Sequence, residues 1–166
     1  MSTVDFSLPI IQEGPSGGGG GEIVPSWSMP ADAIIVSFEV KFGNYVNQLV
    51  LHYTSNSEGD GAITLGGTDP ASNHVYFPLQ HGEQIQSIKG KYGSYVDSIT
   101  IVTNVKTYGI FGGSGGSTSY QYDIPQTWRL IGLFGRVGKW IDAIGVIYGF
   151  GLRMTPLPKK VTGNLE

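Results

Sequence analysis

Three short segments carry the residues best able to do chemistry. Gly138-Lys139-Trp140-Ile141-Asp142, Gly93-Ser94-Tyr95-Val96-Asp97 and Gly43-Asn44-Tyr45-Val46-Asn47 share one order: glycine, a variable residue, an aromatic, a β-branched residue, then Asp or Asn. Glycine reaches φ > 0 without a steric penalty, so it can turn the end of a strand. The next N–H groups then need not pair in a ladder. The acidic side chain follows as the return strand begins, which reads as a carboxylate at an exposed loop mouth. Two donors and a bidentate acceptor in one place suit vicinal hydroxyl groups, each of which both donates and accepts. The aromatic ring can cover an apolar face of the same ligand. A single segment of this kind is an ordinary hairpin turn with Asp as a local cap.

Three copies carry more weight, because each is paired with a glycine cluster. The clusters are Gly17 to Gly21, Gly66-Gly67 and Gly112-Gly113-Ser114-Gly115-Gly116. Their starts at 17, 66 and 112 are 49 and 46 residues apart, and the loop glycines at 43, 93 and 138 are 50 and 45 apart. A basic residue stands two positions before each loop glycine: Lys41, Lys91 and Arg136. Segments 38–53, 88–103 and 133–148 align without gaps. A repeat of this length means stacked supersecondary units that bury one another's apolar faces. The side-chain-free clusters would let a second stretch of backbone approach each loop closely.

The runs between these loops are rich in Val, Ile, Tyr, Phe and Thr. Bounded by glycine turns, they read as strands. The clearest are Ala33–Lys41, Gln48–Ser55, Gln84–Lys91, Ser98–Asn104, Arg129–Phe134 and Ala143–Tyr148. Leu130 to Ile144 is apolar, but its glycines at 132, 135 and 138 penalise a helix. The chain therefore reads as all-β, with three copies of a four-stranded unit packed against each other.

Composition narrows the function. The chain has 166 residues, sufficient for one domain. Hydrophobic residues make up 40% and charged residues 14%, the reverse of a disordered chain. A net charge of −3 argues against nucleic acid, because phosphate binding needs a surplus of Lys and Arg. With Cys 0, disulfides, thiol catalysis and Cys-ligated metals are excluded. No apolar run has the length of a membrane-spanning helix, and the first residues lack a basic and apolar leader. The expected setting is cytoplasmic or non-classical secretion, with no membrane insertion. His52, His74 and His81 are scattered and lack metal-ligand spacing, so no metal or other cofactor is expected.

The segment Tyr108-Gly109-Ile110-Phe111-Gly112-Gly113-Ser114-Gly115-Gly116-Ser117-Thr118, followed by Gly132 to Gly145, resembles the jacalin-related lectins. Gly14-Pro15-Ser16-Gly17 to Gly21 is similar to that family's N-terminal glycine-rich strand, and Thr103-Asn104 with Lys106-Thr107-Tyr108-Gly109 matches its pattern too. The threefold loop is similar to the mannose-binding, multi-site members with griffithsin-like repeats. The resemblance implies a β-prism of three four-stranded antiparallel Greek-key sheets with pseudo-threefold symmetry. It spans residues 11–151, between an extension at 1–10 and a tail at 152–166.

It also implies carbohydrate sites that join each Asp loop to a glycine loop, and no enzyme activity. Site one comprises Gly21, Gly138, Lys139, Trp140 and Asp142. Site two comprises Gly116, Gly93, Ser94, Tyr95 and Asp97. A degenerate site three has Gly43, Asn44, Tyr45, Asn47 and Gly67. There Asn47 replaces the charged acceptor, and Pro70, which lacks an N–H, falls where the last glycine belongs. The uncut internal glycine loop is similar to the mannose/glucose-binding class. Mannose-containing glycans or glycoproteins are the implied partners, and a homo-oligomer the implied assembly. The competing reading is a β-prism module with vestigial sugar sites that recognises protein or lipid. Asp97 and Asp142 do not read as a glycosidase pair, since equivalent environments give no reason for their pKa values to diverge. Trp27 and Trp128 read as packing residues, and Trp140 as a loop residue whose backbone matters more than its ring.

Overall fold

The computed structural model describes residues 9–67 and 69–150. Twelve strands follow in order: β1 (Ile10–Gly17), β2 (Glu22–Ser28), β3 (Ile34–Phe42), β4 (Val46–Thr54), β5 (Gly61–Gly66), β6 (Asn73–Pro78), β7 (Ile85–Tyr92), β8 (Val96–Thr103), β9 (Thr107–Gly112), β10 (Thr118–Asp123), β11 (Trp128–Val137) and β12 (Ile141–Phe150). They make three four-stranded sheets ordered β1-β12-β11-β2, β5-β4-β3-β6 and β10-β7-β8-β9. Every pairing is antiparallel. In the second and third sheets the fourth strand returns beside the first, which is the Greek-key order. The first sheet has the same order if β11 and β12 are counted before β1 and β2. It is assembled from both ends of the chain, with Ile10 opposite Gly149.

The six strands legible in the sequence are the inner pairs, β3–β4, β7–β8 and β11–β12. Inner strands have neighbours on both sides and bury one face deeply, so they keep apolar, β-branched residues. The repeat aligns their core positions. Phe38, Ile88 and Leu133 are equivalent, as are Val46, Val96 and Ile141, and Leu49, Ile99 and Ile144; none is more than 1% exposed. Each fully buried side chain of this size contributes about 1.5–3 kcal/mol. Phe38 also meets Tyr108 edge-on at 5.1 Å and Phe77 at 5.5 Å, tying the second and third sheets together. The Thr103 and Tyr108 hydroxyls both donate to the buried Glu83 carboxylate at 2.6 Å, so the 103–109 motif is a structural clasp.

Three sequence expectations change. Trp27 is 50% exposed on the edge strand β2, because a strand with one free side has no neighbour to cover it. His52 and His74 are not scattered: from β4 and β6 they converge on Glu39 of β3, which lies diagonal to both in the register. β1 starts at Ile10, one residue inside the expected extension. The rest of that extension except Pro9, and the tail at 152–166, lie outside the described residues.

Candidate functional site

The loops at 43–47, 93–97 and 138–142 close the three inner hairpins in the same way. The N–H of Gly43, Gly93 and Gly138 donates to the carbonyl of Tyr45, Tyr95 and Trp140 at 2.9, 3.0 and 2.9 Å. Beside each of these loops the register then slips. Lys41 faces Gln48 while Phe42 faces Val46; Lys91 faces Ser98 while Tyr92 faces Val96; Arg136 faces Ala143 while Val137 faces Ile141. The extra residue is Asn47, Asp97 or Asp142. Each candidate side chain therefore sits on a β-bulge, a device that re-aims a side chain out of the pleat.

The bulge turns each side chain under its glycine loop. Asp142 is only 3% exposed and Asp97 only 6%, so the carboxylates are not at an open loop mouth as expected from sequence. Gly18, Gly113 and Gly67 donate to the main-chain carbonyls of Asp142, Asp97 and Asn47 at 2.9, 2.9 and 2.6 Å, docking each cluster on its bulge. Gly21 has φ +70 and Gly116 has φ +91, which favour glycine. A Cβ on Gly21 would lie 2.8 Å from Asp142 Oδ1, and one on Gly116 would lie 2.9 Å from Asp97 Oδ1. The missing side chains leave each carboxylate facing only backbone.

Site one brings together all its expected residues. Asp142 Oδ1 is shut from solvent and has no hydrogen-bond partner among the described residues. The N–H groups of Lys139 and Trp140 also find no acceptor there. Burial raises the Asp142 carboxyl above the ordinary Asp range, and the nearby Arg136 guanidinium draws it partly back. Arg136, not foreseen as a site residue, fixes the glycine loop: its Nε donates to the Gly20 carbonyl at 2.8 Å and its Nη2 to the Gly21 carbonyl at 3.3 Å. Its signal was the basic position shared by the repeats. Site two repeats the arrangement with Asp97, whose carboxyl is raised by burial and drawn partly back by the Gly93 amide.

Site three differs. A cleft of about 390 Å³ remains, lined by Lys41, Asn47, Gly67, Asp69, Pro70 and His74 among others. Asn47 Nδ2 donates to the Asp69 carbonyl at 3.3 Å, so its side chain already has a partner within the loop.

The three loops also touch one another in a closed cycle. Gly18 packs on the Ser94 carbonyl, Gly113 on that of Asn44 and Gly67 on that of Lys139, each too close for any side chain. Inside the cycle the rings of Tyr45, Tyr95 and Trp140 pack together, with centroids 5.0, 4.8 and 4.7 Å apart. The aromatics thus meet each other on the pseudo-threefold axis, and the sites surround them. Among the described residues no cluster of His, Asp and Glu suits a metal ion.

A sequence profile of the jacalin-like lectin domain matches residues 13–147. The chain belongs to that family. A mannose/glucose-specific lectin of Parkia platycephala is 29% identical over 150 residues, covering 82% of this chain and 31% of that protein. This jacalin-like chain spans about a third of the length of that lectin and of its Parkia pendula counterpart. The jacalin-related lectin Calsepa of Calystegia sepium is 30% identical over 142 residues, covering 80% of this chain and 90% of Calsepa. Among solved structures, a mannose-specific jacalin-related lectin from Morus nigra in complex with mannose superposes with a TM-score of 0.74 at 26% identity, covering 90% of this chain and all of that one. These are β-prism relatives, and the three Greek-key sheets of the jacalin-like domain agree with that fold.

Proposed function

We propose that this jacalin-like domain binds mannose/glucose-type glycans reversibly at the apex of the prism, without catalysis. The observation that carries the reading is Asp142 Oδ1: a buried acceptor beneath Gly20 and Gly21 that has no partner among the described residues, beside the N–H groups of Lys139 and Trp140, which find no acceptor among them either. A shift of the overlying Gly20–Gly21 segment opens the carboxylate to the ligand; two adjacent sugar hydroxyls then donate to it, and the amides donate to ring or hydroxymethyl oxygens. Asp97 with Ser94, Tyr95 and Gly116 forms the second such site. The specificities of the Parkia and Morus nigra lectins support mannose as the first sugar to try. Catalysis has no support in the arrangement, since each carboxylate serves its own loop and both are perturbed in the same direction.

Shallow polar sites of this type hold a monosaccharide at about millimolar Kd, near −4 kcal/mol. Useful strength then comes from several sites per chain and from self-association. Exposed Ile10 and Ile11 on one edge of the first sheet, and Ile23 and Trp27 on the other, offer apolar edges for a second copy. Calorimetric titration with methyl α-mannoside is expected to give two equivalents per chain, and one after Asp142→Ala. An unchanged stoichiometry in that variant refutes the site assignment. Sedimentation analysis tests the self-association, and a purely monomeric protein refutes it.

A further inference from the structure

Asn47 stands where the two working sites carry a carboxylate, so the simple view of it is a decayed ligand. Its contacts point elsewhere. Asn47 Nδ2 holds the Asp69 carbonyl at 3.3 Å. The N–H of the same Asp69 donates to the carbonyl of Lys139, in the loop of site one, at 3.3 Å. Gly67, docked on the Asn47 carbonyl at 2.6 Å, lies against that Lys139 carbonyl with no room for a side chain.

The Lys139 carbonyl and the Trp140 N–H are two ends of one planar peptide group. Fixing the carbonyl therefore fixes the direction of the N–H, which points the opposite way. That N–H is one of the two donors of site one that find no acceptor among the described residues. Positions 20, 115 and 69 are equivalent in the three glycine loops, each lying two residues after the glycine that docks on its bulge. Among the described residues neither Gly20 nor Gly115 donates to a neighbouring loop as Asp69 does. The Ser94 carbonyl of site two receives no such bond among the described residues.

We propose that Asn47 is a positioning residue for site one: through Asp69 it orients the Lys139–Trp140 peptide that donates to the sugar next door. This rests on the reading of site one as a sugar site and adds to it the reason for the Asn. An Asp in its place has no N–H to offer. It would set a carboxylate oxygen against the Asp69 carbonyl, releasing the strap rather than restoring a third site.

The test is Asn47→Asp, with Asn47→Ala as the uncharged counterpart, each followed by amide NMR of the full chain with and without methyl α-mannoside. In the sugar-free variants the Lys139 and Trp140 amide signals are expected to shift, although position 47 is remote in sequence, while those of Ser94 and Tyr95 stay in place. On titration, site one is expected to weaken about tenfold, site two to hold its Kd, and no third equivalent to appear. A third equivalent in Asn47→Asp with site one unchanged overturns the proposal and makes Asn47 a decayed ligand. So does an unshifted Lys139–Trp140 pair in both variants. If the unmodified protein binds no mannoside at all, the sugar reading falls, and the sugar-free amide shifts still decide whether the strap exists.

Discussion

Asp142→Asn separates stability from binding at a single side chain. Asp142 is 3% exposed, and its Oδ1 has no partner among the described residues. A buried, unsatisfied polar group costs about 1–3 kcal/mol, more when charged. Arg136 offsets part of this, so the neutral amide is expected to stabilise the domain by about 1–2 kcal/mol at pH 7. For a domain of this size that corresponds to a rise of about 2–8 °C in Tm. The sign follows from the raised carboxyl. Folding favours the protonated form, so its stabilising effect is complete below the ordinary Asp value of 3.8 and is lost as pH rises through the higher folded value. The gap between variant and parent should thus be small at pH 3.5 and grow to its full size by neutral pH. Differential scanning calorimetry across that range measures it, while titration with methyl α-mannoside shows site one gone and site two intact. A variant that melts below the parent at pH 7, or a gap independent of pH, refutes the view of Asp142 as a strained ligand held for the sugar.

Further outcomes follow from other contacts. Gly21→Ala forces φ +70 on an L-residue and sets a methyl 2.8 Å from Asp142 Oδ1; it should abolish site one by calorimetry while leaving site two. Trp140→Phe keeps the ring cluster with Tyr45 and Tyr95 and the main-chain donor, so its mannoside Kd should stay within about twofold of the parent, whereas Trp140→Ala loses aromatic pairs of about 0.5–1.5 kcal/mol each and weakens binding. Glu39 is held below its ordinary carboxyl range first by its hydrogen bond from His52. Glu39→Gln should cost about 1–2 kcal/mol in urea unfolding at pH 7. That loss should vanish as pH falls through the lowered folded value, where the parent's Glu39 is protonated too. Phe38→Ala, at a position with no exposure, should cost about 3–5 kcal/mol in the same assay.

The parts of this molecule legible in its sequence are those that local chemistry repeats. Phe38, Ile88 and Leu133 announce three copies because each sits in the middle of an inner strand, and glycine spacing marks the loops. The edge strands were harder to read: β1 carries Gly14, Pro15 and mostly exposed residues, with no alternation to count. The depth of Asp97 and Asp142 was hidden for a different reason. It depends on a bulge, a matter of register between two strands, and the run Ile141-Asp142-Ala143-Ile144 is buried throughout, so it carries no period-two signal. The meeting of His52 and His74 at Glu39, and of Asn47 with the loop of site one, likewise needs the cross-strand and cross-sheet placement that only the fold supplies.

The first sheet joins residues 10–28 to residues 128–150, whereas the other two are each built from one continuous stretch. As the chain leaves the ribosome, the two local sheets can be completed while β1 and β2 still lack β11 and β12. β1 and β2 must wait without a ladder until nearly the last described residue has been added. Asp142 and its hairpin are among the last pieces of this domain to emerge, so the first opportunity for site one to hold a ligand comes only once β12 has been made.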